Sequence, residues 1–516
     1  MSEKKDKINY KRTFLIGFGF MGCMLLWSVY NSYIPVMLRG KLSELFAANG
    51  GAVENFISTH PALSWVSVAL IVNAIMTIDN IFGVLFQPFF GKKSDHTHTK
   101  MGKRMPYVLT CMPICALFFC FVPVAATIKS VGLSILLMMS VIICFNFTMS
   151  VWRSPVVSLM PDFTPSHLQS DANAVINIMG GIGQMVGFVV GTIASALVGV
   201  LGFAEMSNAL KAKTNDLGQI VDEAGSLILK NGEAQYVNYT PIFIVTAVIA
   251  VLCIVVLVLF YKKNKQYDLS ANVGFEGKNE EEVKKQKIKI KHLPITKEEK
   301  RSLLIMLAAL FLINNATEAI IPNFTNFANK TLNVAPIYST LMMAVFAVSL
   351  AAFGIPAGAM GRKLGRKKTI IIGLLAIVVM FAVYLTVSQV MPANPDGSLN
   401  KLTWITLWIA LVVGGAAVGC VNINTLPLVL AIGGREFVGT FTGYYYTATF
   451  SAAVTGPILC GIVIGLFKED YNYMFLFCAV MFALGLAVIT QVKHGELSKD
   501  EDTEWLDKAV EEAEND

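Results

Sequence analysis

The sequence contains little charge and none of the motifs of the common soluble enzymes. Charged residues make up 15% of its 516 positions and apolar residues 55%, a composition that excludes a water-soluble surface of ordinary polarity. The chain has no HExxH motif, no nucleophile motif and no histidine inside an apolar run, which argues against an enzyme. Its nine cysteines form no CxxC motif and no Cys/His pairing. We therefore expect them to pack as small apolar residues, and we predict no metal site and no cofactor.

Long apolar runs account for most of the chain. A helix needs about 20 mostly apolar residues to cross a bilayer, whereas a β-barrel would show short alternating segments. The first run follows a basic start and is too long for the core of a signal peptide, so we expect an uncleaved span. The sequence predicts an all-α membrane protein with twelve transmembrane helices, at 14–36, 64–90, 106–128, 131–157, 172–202, 241–262, 302–325, 337–360, 369–391, 403–431, 438–466 and 471–492.

The loops between the runs indicate how the chain is oriented. Lysine and arginine are enriched in cytoplasmic loops, and loops 92–104 and 361–368 each carry five of them. Loop 203–240 carries three lysines and five acidic residues, as expected on the extracellular side. With an even number of spans, both termini should be cytoplasmic. The net charge of +6 reflects this topology, and we predict no nucleic-acid partner.

A Lys/Glu-rich segment divides the chain into two halves, which we expect to be pseudo-symmetric. A stretch that begins and ends with glycine, followed by two basic residues, comes after the second span of the first half. The same pattern recurs after the second span of the other half. The predicted units are an N-terminal six-helix bundle at 1–262, a cytoplasmic connector at 263–301, a C-terminal six-helix bundle at 302–493 and an acidic cytoplasmic tail at 494–516.

The loop after the second span carries a family resemblance. Its form is Gly91-x-x-x-Asp95, followed by Gly102, Lys103 and Arg104, and it resembles the signature of the major facilitator superfamily. The long spacing from Asp95 to Gly102 resembles the sucrose-transporter branch and the related glycoside-pentoside-hexuronide:cation symporters. The resemblance extends over nearly the whole chain through PDFTPSHLQSDANA at 161–174, NINTLPLV at 422–429 and GTFTGYYYTATFSAAVTGP at 439–457.

The same loop predicts a cytoplasmic gate. Asp95 can accept hydrogen bonds from Lys103 or Arg104 and from backbone donors at the start of the third span. In the second copy of the motif Arg362 stands where the acid would be, so a latch there has less support. The alternative is that the lysines only set the topology. The predicted gating residues are Gly91, Asp95, Gly102, Lys103, Arg104, Gly365 and Arg366.

Few ionisable residues lie inside the runs, where each costs about 2.5 to 3.5 kcal/mol on insertion scales. Asp79, which shares a helical face with Gly83 and Gln87, lies in the second run, and Glu318 lies in the seventh. Either carboxyl group could carry a proton, or could serve only as a hydrogen-bond acceptor that stabilises helix packing. Arg153, at the cytoplasmic end of the fourth run, either reaches the membrane surface or pairs with a carboxylate or a sugar hydroxyl.

Sodium is the alternative coupling ion, because carboxylates and amide carbonyls can hold a hard cation. The melibiose-permease type of sodium site has paired acids in the second span, one of them where Gln87 stands here. The resemblance therefore favours protons.

Amide and aromatic side chains are concentrated on the same spans. A neutral polyol needs groups that donate and accept hydrogen bonds, and aromatic faces that cover the apolar side of its ring. The resemblance implies that spans one, four, seven and ten line a central cavity, with spans two, five, eight and eleven beside them. Taken singly, each residue could instead be a helix–helix contact. The predicted substrate-binding residues are Trp27, Tyr30, Asn31, Gln87, Asn146, Asn177, Gln184, Asn314, Asn315, Asn422, Asn424 and Tyr445.

These features predict a secondary active transporter that works by alternating access, with proton-coupled symport of a sucrose-like or maltose-like glycoside as the favoured activity. A polyspecific drug/proton exporter is one alternative. A membrane sugar sensor that does not transport is another, although the connector and tail are short for a signalling domain. The expected partners are a sugar, a proton and the bilayer, and we expect a monomer in the cytoplasmic (inner) membrane of a bacterium.

Overall fold

The computed structural model describes residues 9–47, 66–95, 97, 99–164, 169–222, 225–230, 233–268, 296–391, 400–433 and 438–493. Most of these residues are helical, as the apolar runs predict. The helices are α1 (Tyr10–Ala47), α2 (Val68–Met76), α3 (Ile78–Asp95), α4 (Met105–Ala126), α5 (Val131–Phe163), α6 (Gln169–Val200), α7 (Ala204–Lys211), α8 (Thr240–Asn264), α9 (Lys297–Lys330), α10 (Pro336–Leu364), α11 (Arg366–Val390), α12 (Lys401–Gly433), α13 (Val438–Leu466) and α14 (Tyr473–Ile489).

Each of the twelve predicted spans corresponds to helix in the structure. Within the described residues, eleven helical segments are long and apolar enough to cross a membrane, and the twelfth, α14, is apolar and has 17 residues. Span two consists of α2 and α3, which meet at Thr77. The Thr77 hydroxyl donates to the carbonyl of Ala74 at 2.8 Å, and such a bond to the preceding turn distorts a helix.

The first helix is longer than its apolar run. It continues past residue 36 to Ala47, and Arg39 and Lys41 on this extension are buried, at 3% and 8% exposure. Charged residues would ordinarily mark the end of a span, but here the loop at 203–240, which the charge pattern predicts to be extracellular, covers them. Gly40 allows this contact, since a Cβ at that position would lie 3.3 Å from the carbonyl oxygen of Leu217.

The extracellular loop departs from an all-α fold. After α7 it forms two antiparallel pairs of two-residue strands, β1 (Lys213–Thr214) with β2 (Ile220–Val221) and β3 (Leu229–Lys230) with β4 (Glu233–Ala234). Lys230 of β3 donates to Glu205 of α7 at 2.5 Å, and this contact lowers the pKa of the Glu205 carboxyl. The loop is therefore an ordered cap and not a simple connection.

The two halves have separate apolar cores and meet along a few helix pairs. One core is built from residues between Ile16 and Tyr261, and the other almost entirely from residues between Leu303 and Val492. Contacts between the halves are formed by α2 with α13, α6 with α10, and α1 with α9. The predictions for residues 269–295 of the connector and for both termini fall outside the described residues.

Candidate functional site

Asp79 lies in the first turn of α3, directly after the break at Thr77. Its side chain is 4% exposed, and its Oδ1 accepts a hydrogen bond of 2.6 Å from the backbone N–H of Asn80. A helix N-terminus offers free N–H groups to an anion, and the break in span two creates one inside the membrane. The Asp79 carboxylate interacts with Trp27 of α1 and with the charges of Arg153 and Glu318.

Arg153 of α5 is half-buried and lies over the ring of Trp27. Its guanidinium carbon lies 4.5 Å from the centroid of the Trp27 ring. The two proposed proton carriers come from different halves, Asp79 from the first and Glu318, on α9, from the second. The charged cluster of Asp79, Arg153 and Glu318 therefore lies where movement of one half against the other would change its geometry.

Two further predicted residues adjoin this cluster. Asn146 of α5 donates to the hydroxyl of Tyr30 of α1 at 3.0 Å. The Tyr30 ring stacks on Phe145 with centroids 5.3 Å apart, and its hydroxyl interacts with the Asp79 charge. Trp27, Tyr30, Asn146, Arg153 and Asp79 thus form one polar site between α1, α3 and α5.

The other predicted residues of the first half are less closely connected to this site. Asn31 and Gln184 are half-buried, and the backbone carbonyl of Gln184 accepts a bond of 3.0 Å from the Ser28 hydroxyl. Asn177 lies on α6, but its side chain is outside the described part of the structure. Gln87 lies on α3, two turns beyond Asp79 towards the basic loop, in a groove between α3 and α13.

In the second half, most of the predicted amides contact their own or a neighbouring helix. Asn315 is fully buried, donates to the Phe311 carbonyl at 2.7 Å and accepts from Thr455 of α13 at 2.9 Å. Asn424 of α12 donates to the carbonyl of Ala357 of α10 at 3.2 Å. Asn314 is half-buried and bonds back to Leu310 at 2.9 Å. Of the remaining two, Asn422 is exposed and Tyr445 is half-buried.

The groove between α3 and α13 holds about 600 Å³, and its lining on α3 runs from Ile81 to Gln87. It is mainly apolar, but it also contains hydroxyl and amide groups. Its lining consists of Ile81, Gly83, Val84, Leu85 and Gln87 from α3, and Tyr446, Thr447, Phe450, Ser451, Val454 and Thr455 from α13.

The basic loop of the first half forms a cross-link between three helices. Arg104, at the start of α4, donates from Nε to Asp162 of α5 at 2.9 Å, and from Nη1 to the Ser94 hydroxyl at 2.6 Å and the Gly91 carbonyl at 3.5 Å. Sequence reasoning did not identify Asp162, although it lies in the conspicuous PDFTPSHLQSDANA stretch. Asp95 ends α3, and its side chain lies outside the described part, so the predicted Asp95 latch stays a prediction.

Two glycines of the loop motifs adopt positive φ, +87° at Gly102 and +95° at Gly365, which favours glycine. Lys103 is half-buried. In the second copy Arg366 donates to the backbone carbonyl of Pro427 in α12 at 3.3 Å. Its neighbour Lys367 donates to the Thr490 and Val492 carbonyls at 2.8 and 2.7 Å, and so caps the end of α14.

A second polar network joins the halves at the end that carries the loop at 203–240, and sequence reasoning missed it. Arg39 of α1 pairs with Asp216 of the extracellular cap. Lys330, at the end of α9, lies 3.4 Å from Asp216 and 3.5 Å from Glu469, and Glu469 accepts from the Ala69 N–H of α2 at 3.2 Å. Loop acids are common on any extracellular side, so nothing in the sequence distinguished these from solvated charges.

Deeper in the same interface, Asn73 of α2 and Asn323 of α9 hydrogen bond to each other, and Tyr33 of α1 contacts Thr340 of α10 at 3.2 Å. All four side chains are almost fully buried. Within the described residues, the end of the bundle that carries the loop at 203–240 is therefore closed.

Comparison with known proteins agrees with this architecture. Residues 15–432 match the family described as MFS/sugar transport protein, and the chain belongs to that family. The solved structure of the nucleoside transporter NupG is similar, with a TM-score of 0.55, 14% identity and coverage of 94% of this chain and all of that one. A bacterial homologue of the human lysosomal transporter Spinster, inward-facing and occupied, gives a TM-score of 0.56 at 11% identity, covering 94% and 97%. None of the curated proteins matches the chain in sequence.

At these identities the structures share the fold alone. A bacterial homologue of the iron transporter ferroportin, in an inward-facing state, has the same TM-score of 0.56 at 12% identity. The family and the fold define the protein as a multi-pass membrane protein and a secondary transporter of the major facilitator superfamily.

Proposed function

We propose that this protein imports a glycoside or disaccharide together with a proton, by alternating access. The observation that carries the proposal is the position of Asp79, buried at the break in span two, where the charges of Arg153 and of Glu318 from the second half act on its carboxyl group. A carboxyl group between two moving halves can take up a proton in one conformation and release it in another, because its charged neighbours change.

The substrate class is proposed from the chemistry beside the cluster. Trp27 and Tyr30 supply aromatic faces, and Asn146 and Arg153 supply directed donors. Sugars are bound by such combinations of aromatic surface and convergent polar groups. The family description, which names sugar transport, supports the same class. Binding by these residues would link the sugar to the proton site, since Trp27 also contacts Asp79.

The test measures the external pH of lightly buffered, energy-depleted cells that express the protein, after addition of a panel of disaccharides. One sugar should alkalinise the medium, and Asp79→Asn or Glu318→Gln should abolish the response. Glu205→Gln, which neutralises an exposed acid of the extracellular cap, is the matched control and should respond normally. If no sugar alters the pH although the protein is in the membrane, the proposal is wrong.

One observation favours a second candidate, the polyspecific exporter. The groove between α3 and α13 is mainly apolar, and Ile81, two residues after Asp79, is part of its lining; an amphiphilic cation would need such an apolar surface near an acid. Efflux of a fluorescent amphiphilic cation that depends on Asp79, without any response to sugars, would select this candidate. Uptake of radiolabelled sugar with sodium replaced by choline tests the coupling ion, because a sodium symporter would lose uptake in choline and would give no pH signal in sodium.

A further inference from the structure

A basic groove lies at the cytoplasmic end of the first half, between the start of α1 and the end of α8. It holds about 630 Å³, and it shares no residue with the charged cluster or with the groove between α3 and α13. Lys11, Arg12 and Lys263 line it together with Asn9, Asn264 and Tyr267, while its apolar side is formed by Leu15, Val256, Leu259 and Phe260.

The cations of this groove are not neutralised by the described part of the protein. Lys11, Arg12 and Lys263 form no ion pair with a described carboxylate. The guanidinium carbon of Arg12 lies 3.8 Å from the centroid of the Tyr267 ring, and the backbone N–H of Arg12 donates to Asn9 at 3.1 Å. The groove therefore holds positive charge in a fixed position.

The acid that follows Tyr267 in the sequence is already engaged. Asp268 is buried and accepts a 2.8 Å hydrogen bond from the hydroxyl of Tyr261. Lys265, the next basic residue of this turn, donates to the carbonyl of Lys100 at 2.7 Å. Within the described residues, these contacts leave the three groove cations open to an external anion.

The groove also borders the apolar surface of the spans. Leu259 is 55% exposed, and Tyr10 and Phe14 on α1 are 64% and 44% exposed. Tyrosines at the ends of spans are typical of the headgroup level, and basic clusters beside a span attract anionic lipids. A ligand that fills the groove must therefore combine an anionic group with an apolar chain.

We propose that this groove binds an anionic glycerophospholipid from the cytoplasmic leaflet. Its phosphate contacts Lys11, Arg12 and Lys263, and an acyl chain lies along Leu15, Val256 and Leu259. The bound lipid fixes the start of α1 against the end of α8, where the chain enters the connector to the second half.

The test compares the full-length protein with two triple variants in mild detergent. One is Lys11→Gln/Arg12→Gln/Lys263→Gln, and the control, Arg301→Gln/Lys363→Gln/Lys368→Gln, removes the same charge from the same end of the protein. Native mass spectrometry measures retained lipid, and thermal unfolding is followed with dioleoyl phosphatidylglycerol, dioleoyl phosphatidylcholine or glycerol phosphate.

The wild type and the control variant should retain phosphatidylglycerol, and this lipid should raise their unfolding temperature. The groove variant should bind it at least tenfold more weakly. Equal binding by the two variants, or an equal response to phosphatidylcholine, overturns the proposal. Glycerol phosphate that reproduces the whole effect shows a soluble phosphate site and overturns the lipid assignment.

Discussion

Asn73 of α2 and Asn323 of α9 exchange a reciprocal pair of hydrogen bonds across the interface between the halves, each donating Nδ2 to the other's Oδ1, at 2.9 and 2.8 Å. Both side chains are 1% exposed. Each amide also donates to its own helix, to the carbonyls of Ala69 and Ala319. The pair can therefore form only while the extracellular ends of the halves are in contact.

Replacing one member of this pair should open the extracellular end. Asn73→Leu leaves the Asn323 amide buried without its partner, which costs about 1 to 3 kcal/mol in the closed state. A cysteine introduced at Thr340, which is buried in the same interface, should then react about tenfold faster with an impermeant maleimide, as a shift of about 1.4 kcal/mol would give.

A double variant distinguishes the effect of losing the Asn73–Asn323 hydrogen bonds from the effect of a general loss of packing. Asn73→Leu/Asn323→Leu removes both polar groups, so labelling should return towards the wild-type rate. Asn314→Leu is the control on α9, because its amide bonds only to its own helix, and it should label at the wild-type rate. Equal labelling of the single and double variants would contradict a role of this pair in closure.

The sequence singled out three ionisable residues for a physical reason. Asp79, Arg153 and Glu318 are ionisable residues within apolar runs, and each is costly unless it has a partner or a function. The structure brings the charges of all three within interaction range. The partnership of Trp27 with Arg153 could not be read from the sequence, because it depends on the rotation of α1 against α5.

The closure of the extracellular end was harder to predict. Asn73 and Asn323 are amides within apolar runs, so the argument that selected Asn315 applies to them equally. Asp216 and Glu469 gave no signal, since acids in extracellular loops are usually solvated. Their pairing with Arg39 and Lys330 depends on the fold of the cap, which the hydrophobic pattern of the spans does not determine.

The cytoplasmic cross-link should matter most for the stability of the first half. Arg104 and Asp162 are largely buried, with side chains 9% and 11% exposed. Asp162→Asn removes one charge partner of the largely buried Arg104 guanidinium, and breaking a buried ion pair costs about 3 to 5 kcal/mol. Thermal unfolding in detergent should show a clear drop in the midpoint temperature for Asp162→Asn. It should show a clear drop for Arg104→Lys as well, because a lysine at that position cannot contact Asp162 and Ser94 together.

The neighbouring variant Lys103→Gln is the control for that experiment. Lys103 carries the same charge in the same loop, is half-buried and forms no ion pair with a described carboxylate. The midpoint temperature of Lys103→Gln should stay within experimental error of the wild-type value. A drop as large as that of Asp162→Asn would mean that loop charge, and not the Arg104 cross-link, stabilises this region.

Neutralising Asp79 should separate exchange from net transport. Asn resembles the protonated carboxyl, so the Asp79→Asn carrier can bind sugar and change conformation, but it cannot lose a proton and return empty. Proteoliposomes with the variant should lose proton-driven accumulation of radiolabelled sugar and retain counterflow. Accumulation at the wild-type level by Asp79→Asn would exclude this residue as the proton carrier.

Asp216 tests whether the extracellular cap holds the two halves together. It pairs with the buried Arg39 of α1 and with Lys330 of α9, so Asp216→Asn should speed maleimide labelling at the Thr340→Cys site. Asp216 is itself 56% exposed, and salt weakens such pairs. With no further substitution, labelling at the Thr340→Cys site should therefore rise with salt. With Asp216→Asn added, labelling should already be fast and should change little with salt.

Asp222→Asn is the control, because it removes an equal charge from the same loop, where Asp222 bonds within its own turn. It should behave as the protein without a loop substitution. Identical salt dependence in all three proteins would show that the cap is not part of the closure.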